Sequence, residues 1–260
     1  MLMQTLCRLA PRRHRVYRLL SRFAPDRFEI YRIDNGLIYL NVHEQPMMVQ
    51  MAMGIYEPAK QAMIHRHLRP GMTFIDVGAN MGYFTLQAAR LVGNSGRVIS
   101  IEPAPQNFSL LQRSIDLNGY TNTIALPVAL SDRDGSAGLQ ILGRSTEHTL
   151  APLKVTDLPR VVVPTRTLDS LIAEQKLSRV DMVKIDVQEL ELEVLRGATE
   201  TLRRNPDLVM LLDLPKRLEM RRAIAEFLAP YGFTYFPECD ESAPTREIPP
   251  AGFEVAALRV

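Results

Sequence analysis

The sequence predicts an α/β chain built on an open, mostly parallel sheet with helices on both faces. Three stretches carry that prediction. In Thr73–Gly82 (T-F-I-D-V-G-A-N-M-G), a short apolar run closes at Asp76 and turns through Gly78-Ala79-Asn80-Met81-Gly82. A helical pattern follows with Met81, Phe84, Ala88, Leu91 and Val92 on one face, so this reads as strand, tight turn, helix. Arg97–Ile101 is a second β-branched strand ending at Glu102, which makes the piece a βαβ unit with an acid at each strand tip. Val180–Val187 is nearly continuous in apolar residues, as buried parallel strands are.

The remaining elements follow from period and punctuation. Arg12–Phe23 carries apolar residues at 16, 19, 20 and 23 opposite an Arg-rich face, a helical stripe. Phe28–Val49 reads as extended, with a hairpin turned at Asp34-Asn35-Gly36 between Tyr31–Ile33 and Leu37–Leu40. A helix opens near Pro58 and ends before Pro70-Gly71; another, Pro105–Asn118, stops at Gly119. Ile124–Leu130 is the next strand, leading to Ser131-Asp132. Gly135–Pro164 has only short β-like pieces (Ala137–Leu142, Val161–Val163) around a polar segment, an insertion placed where a substrate lid could sit. After Val180–Val187 come a helix over Glu189–Arg203, a strand Leu208–Leu212 closing at Asp213, a helix Arg217–Ala229, and two final strands at Phe233–Phe236 and Phe253–Val260.

Ligands of such sheets bind at the carboxyl ends of the strands. A dinucleotide fingerprint needs glycines where this chain has Asn80 and Tyr83, so the loop makes no room for a pyrophosphate. It suits a nucleoside with a phosphate-free linker and an amino-acid tail, which describes S-adenosylmethionine. Asp76, Gly78, Asn80 and Gly82 form the expected cofactor loop, and Glu102 is placed to accept hydrogen bonds from both ribose hydroxyls. Ser131 and Asp132 can accept from the adenine amine, although Asp132-Arg133-Asp134-Gly135 is also turn chemistry. Lys184 and Asp186 point to one face of their strand, and Asp186 stands at its tip. There it can orient or deprotonate an acceptor, or cap the following helix. His148, in the insertion, is a candidate to meet the substrate.

The motifs I-D-V-G-A-N-M-G-Y-F-T, V-I-S-I-E-P-A-P-Q-N-F-S-L-L, A-L-S-D-R-D-G, T-L-D-S-L and V-K-I-D-V together resemble the FkbM family of methyltransferases, from about Gly54 to about Asp213. The resemblance implies a class I methyltransferase fold, Rossmann-like, whose seven-stranded sheet ends in a hairpin; the strand count fits. It further implies methylation of a hydroxyl on a sugar, glycan or polyketide-type acceptor, and places Tyr56 and Glu57 of the G-I-Y-E stretch close to the cofactor. Where that family typically continues D-V-E-G-A-E, this chain has Asp186-Val187-Gln188-Glu189-Leu190-Glu191, and Asp213 replaces a usual Glu. Gln188, Glu189 and Asp213 are therefore expected on the acceptor side. The same departures support an alternative: a protein that binds cofactor without turnover and serves as a partner subunit.

Other chemistries lack their marks. No D/N-P-P-Y/F motif follows the Val180–Val187 strand, Pro-Cys occurs nowhere, and Leu214 after Asp213 removes the Asp-Asn pair of catechol-type metal enzymes. Asp186 and Asp213 end neighbouring strands and could share a divalent cation, but no motif supports one and no metal is assigned. With 260 residues and 46% hydrophobic content the chain suits one large domain, Gly54–Val260, preceded by a helix-and-hairpin extension over residues 1–53. Cys7 and Cys239 suggest no disulfide framework, consistent with the cytoplasm. The net charge of +2 is uneven: residues 1–32 carry eight Arg against Asp26 and Glu29, which leaves the rest acidic. This arm has no apolar run long enough for a leader or a membrane span. Its Arg-rich helix could touch an anionic membrane peripherally or pack, solvated, on the domain; no nucleic-acid partner is expected.

Overall fold

The structure, a computed structural model, describes residues 26–44, 46–141, 160–248 and 254–259. The Arg12–Phe23 helix, the Gly143–Thr149 segment and His148 lie outside the described residues. The first elements are a hairpin, β1 (Glu29–Ile33) and β2 (Gly36–Leu40), paired so that Ile33 faces Gly36 across a two-residue turn. Two helices follow, α1 (Pro46–Met53) and α2 (Pro58–His67). The extended reading through Val49 is corrected here. Pro46 starts a helix, and Met48, Val49, Met51 and Ala52 bury one face of it, a helical spacing hidden in an almost wholly apolar run.

The main chain of elements is β3 (Thr73–Val77), α3 (Tyr83–Val92), β4 (Arg97–Ile101), α4 (Pro105–Asn118) and β5 (Thr123–Leu126). Then come β6 (Ala129–Leu130), β7 (Gly135–Gln140), β8 (Arg160–Arg166), α5 (Leu168–Glu174), β9 (Met182–Ile185), α6 (Glu191–Arg196) and α7 (Thr199–Arg204). The last are β10 (Val209–Asp213), α8 (Leu218–Leu228), β11 (Thr234–Pro237) and β12 (Glu254–Leu258). Seven strands form one sheet in the order β11-β12-β10-β9-β3-β4-β5, with β12 antiparallel to both its neighbours and the pairings from β10 to β5 parallel.

Alternation along β3 explains the two-sided core. Phe74 joins the cluster under the hairpin, α1 and α3, whereas Ile75 and Val77 join the cluster under α6, α7 and α8. Two expected elements are broken. Ile124–Leu130 is not one strand: Pro127 has no amide to give the sheet, so β5 stops at Leu126 and β6 joins a separate sheet, β6-β8-β7. The helix expected over Glu189–Arg203 begins only at Glu191 and divides after Arg196. Asp169 accepts hydrogen bonds from the amides of Glu200 and Thr201 (2.9 and 2.8 Å), which starts α7 afresh. Among the described residues no helix is long and apolar enough to cross a membrane.

The hairpin is fastened to α4 by Asn118. Its Oδ1 accepts from the Leu37 amide at 2.8 Å and its Nδ2 donates to the Leu37 carbonyl at 2.7 Å, so one side chain stands in for a neighbouring strand. Asn118→Ala leaves both backbone groups without that partner and is expected to cost about 1–3 kcal/mol. Urea unfolding with an unchanged m-value checks this; a loss below about 0.5 kcal/mol would show that water replaces Asn118 freely.

Candidate active site

The tips of β3, β4, β9 and β10 open into a cavity of about 380 Å³. Gly78 sits at its floor with φ +75, and a Cβ there would lie 2.0 Å from the Asp186 carbonyl oxygen. The β3 turn and the end of β9 are thus in contact, an approach that only glycine permits. Glu102 follows β4 and is 6% exposed. Its two carboxylate oxygens accept from the amides of Asn80 and Ala104, both at 2.9 Å. Burial pushes its pKa up to about 7, against the pull of those two amides. Each oxygen keeps a lone pair for a further donor.

At the other end of the cavity two buried lysines are tied to carboxylates. Lys184 Nζ lies 3.2 Å from Asp76 and 3.8 Å from Asp186, and donates to the Gly78 carbonyl at 3.1 Å. Lys60, on α2, lies 2.6 Å from Glu57 and 3.0 Å from Asp213. Burial alone would lower both ammonium pKa values, but Asp76 and Asp186 raise that of Lys184, and Asp213 and Glu57 raise that of Lys60; both stay charged. Burial first, and then the Asp186 charge, push Asp213 up to about 7, although Lys60 opposes them. Burial and the nearby Glu57 raise the Tyr56 phenol, whose ring packs edge-on against Tyr83 at 5.5 Å.

Of the residues anticipated for a cofactor, Tyr56, Glu57, Gly78, Asn80 and Glu102 line the cavity, and so do Lys184, Asp186, Gln188 and Asp213. Four others do not line it. Asp76 lies beneath the floor, fully buried, accepting from Thr85 Oγ1 at 2.7 Å and pairing with Lys184. Gly82 faces α4 instead, where a Cβ would stand 2.7 Å from Leu111 Cδ1. Ser131 and Asp132 sit past β6 outside the cavity, with Ser131 Oγ donating to Asp132 at 3.3 Å; Ala129 and Leu130 take their place in the wall. Glu189, expected beside Asp186 inside a helix, is instead in a left-handed turn and reaches Arg217 at 3.5 Å. Lys60 was missed, though a signal existed: it shares the buried face of α2 with Met63 and Ile64, three residues after Glu57. Among the described residues no group of three or more His, Cys, Asp or Glu is arranged to hold a metal ion.

These residues fit the proposed nucleoside. A carboxylate fixed by backbone amides suits a ribose diol, Ala129, Leu130 and Leu139 give an apolar wall for a base, and the acidic end can meet cationic groups. Comparisons with known proteins agree. Residues 76–235 match the family model described as the methyltransferase FkbM domain. A methyltransferase of Beauveria bassiana is 32% identical over 143 residues, 47% of this chain and 57% of that protein. A hexuronic acid methyltransferase of Haloferax volcanii is 29% identical over 127 residues, 49% of this chain and 50% of that protein. The chain therefore spans about half the length of the curated relatives it matches. In fold, the TYW2 structure of P. horikoshii, solved in complex with MeSAdo, aligns with a TM-score of 0.50 over 94% of this chain and 81% of its own, at 14% identity.

Two outcomes follow from this geometry. The ionised form of Glu102 is the one that accepts from hydroxyls, so S-adenosylmethionine affinity should rise with pH through about 7 and fall below it. Glu102→Gln should weaken binding by about 1.5–3 kcal/mol and flatten that pH profile, read by calorimetry. A profile unchanged in the variant would remove Glu102 from the ribose site. Glu189 has φ +71, a strained conformation for an L-residue, and its pairing with Arg217 is solvent-exposed. Glu189→Gly should therefore stabilise the fold by about 0.5–1 kcal/mol, a rise in Tm of about 1–4 °C, rather than cost helix propensity. A fall in Tm would refute the strain.

Proposed function

The chain belongs to the FkbM methyltransferase domain family, whose model covers residues 76–235, and on that footing we propose that it transfers the methyl group of S-adenosylmethionine to a hydroxyl of a sugar, glycan or polyketide-type acceptor. The observation that carries the proposal is the placement of Asp186. Its carboxylate lines the cavity, keeps 24% of its side chain exposed, and stands 3.8 Å from the Lys184 ammonium.

The cofactor supplies a methyl carbon on a sulfonium, open to in-line displacement with the electron pair leaving on sulfur. Everything else falls to the protein. Glu102 and the Gly78–Asn80 turn hold the nucleoside, so that positioning supplies much of the acceleration. An alcohol is a poor nucleophile until its proton has somewhere to go, and Asp186 accepts it as the new oxygen–carbon bond forms. Lys184 fixes the Asp186 carboxylate and steadies its charge before that proton arrives. Gln188, with one amide donor group and one acceptor, and Asp213 add polar surface for a hydroxylated acceptor. The hexuronic acid named for the Haloferax volcanii relative lends support to a sugar-derived acceptor. The binding-only alternative keeps its motive in Gln188 and Leu190, which line the cavity, whereas Glu189 turns toward Arg217 and does not.

Asp186→Asn should lower kcat by about 10²–10⁴-fold in a protein that still binds the cofactor. Methyl transfer to neutral sugars, uronic acids and polyketide alcohols, with mass spectrometry of the products, tests this. Transfer to amines alone, or an Asp186→Asn variant at full rate, would overturn the proposal.

A further inference from the structure

Residues 1–25 hold six Arg and no Asp or Glu, so the chain's net charge of +2 leaves −4 on everything after them. Among those arginines stand Leu6, Leu9, Val16, Leu19, Leu20 and Phe23. The structure fixes where this segment joins the domain. Asp26 Oδ1 accepts from Asn41 Nδ2 at 2.9 Å, at the open end of the hairpin. From its turn, β2 runs along α4 toward the start of that helix: the Leu37 amide meets Asn118, and the Tyr39 amide meets Ser114 Oγ at 3.3 Å, one turn earlier. The first turn of α4 follows the tip of β4, and its Asn107 lines the cavity. Beyond Asn41 the chain enters α1, whose Met47 lines the cavity too. Residues 1–25 therefore meet the domain at the carboxyl edge of the sheet, beside the cavity.

The other side of the cavity has the same character. Asp213 ends β10 in the cavity wall, and Lys216, Arg217 and Leu218 follow it, all exposed, Leu218 at 46%. Arg217 reaches Glu189, whose neighbours Gln188 and Leu190 line the cavity. On the hairpin side Arg27 is exposed and paired with Glu29, and Ile30 is 49% exposed. Basic and aliphatic side chains thus flank the cavity on both sides, while the negative charge belongs to the rest of the domain.

We propose that the carboxyl edge of the sheet docks on an anionic membrane, anchored by residues 1–25 and steadied by Lys216, Arg217 and Leu218, so that the cavity faces the bilayer. Lipid phosphates attract the arginines, and the aliphatic side chains between them enter the boundary between headgroups and acyl chains. Nucleic acid or an acidic glycan would answer the arginines alone and leave those aliphatic groups, Ile30 and Leu218 in water. The charge asymmetry also sets the orientation, because an anionic surface attracts the edge that carries the arginines and repels the acidic remainder. On the methyl-transfer reading, docking turns Asp186 and Gln188 toward an acceptor carried at the membrane surface.

Flotation of the full chain with vesicles tests the docking, and fluorescence tests its orientation. Vesicles containing phosphatidylglycerol should bind the chain at least ten-fold more strongly than phosphatidylcholine alone, and the difference should shrink as salt is raised. Replacing Arg12, Arg13, Arg15 and Arg18 by Gln should remove most of it. The chain has no tryptophan, so Leu218→Trp and Arg27→Trp each place a single reporter beside the cavity, and Asn94→Trp places one before β4 at the opposite edge. Anionic lipids with brominated acyl chains should quench the first two and spare the third; both reporter positions beside the cavity are exposed, so either suffices if the other variant does not fold. Equal binding to neutral vesicles, indifference to salt, or quenching of Asn94→Trp as strong as that of Leu218→Trp overturns the proposal. So does capture by RNA or an acidic polysaccharide without flotation on either vesicle. Neither cofactor nor acceptor enters these measurements, so their failure leaves the methyl-transfer reading standing.

Discussion

The structure turns on one buried ammonium. Lys184 is 3% exposed and projects from β9 beneath the cofactor turn, where it meets Asp76 from β3, Asp186 from its own strand and the Gly78 carbonyl. A charge so placed is tolerable only while its partners stay; removing one partner of a buried pair typically costs about 3–5 kcal/mol. The same contact that keeps the core electrically quiet therefore fixes the heights of two adjacent strand tips relative to each other. Gly78 completes the knot from the backbone side, because its missing Cβ lets the β3 turn rest on the Asp186 carbonyl. The β3 turn and Asp186 are thereby joined in one unit.

A second ammonium repeats the device from outside the sheet. Lys60 belongs to α2, yet it reaches Asp213 at the end of β10, 153 positions later in the chain. It carries Tyr56 and Glu57 with it, since the stretch before α2 enters through a left-handed Glu57 whose carboxylate also grips Lys60. Packing of α2 on the sheet and assembly of the acidic end are consequently one event. The hairpin and α1 share the core of that side with Phe74 and Phe84, so the segments before the sheet buttress the wall of the site.

What was legible in the sequence were the features set by local pattern. The Thr73–Gly82 turn, the β4 strand closing at Glu102 and the Asn-Gly hairpin depend on residues within reach of each other along the chain, and all three lie where periodicity puts them. Seven strands in one sheet were legible too, by count. The misses share a different cause. Asp76 looked like a ligand at a strand tip because alternation says which face a residue takes but not what waits there; Lys184, more than a hundred positions away, consumes it. Ser131 and Asp132 were misplaced because Pro127 moves the chain into a second sheet before it reaches them. Lys60 was invisible as a site residue because its partner is tertiary, although a lysine on the buried face of a helix demands one.

The turn after β9 shows how a departure from a family pattern can be absorbed by geometry. Gln188 and Glu189 both adopt left-handed φ, +54 and +71, at the two positions where the usual sequence has Glu and Gly. The backbone takes the conformation that glycine favours, and the side chains part from it in direction: Gln188 into the cavity wall, Glu189 out toward Arg217. Glu191 holds the arrangement from within. Its buried carboxylate accepts from the Glu189 amide at 3.2 Å, and burial pushes its pKa up to about 7. The strain of two L-residues in that conformation, about 1–2 kcal/mol each, persists because the surrounding contacts over-determine it. The two side chains thus diverge from one turn, so that a change at Glu189 alters the surface near Arg217 and a change at Gln188 alters the cavity wall beside Asp186.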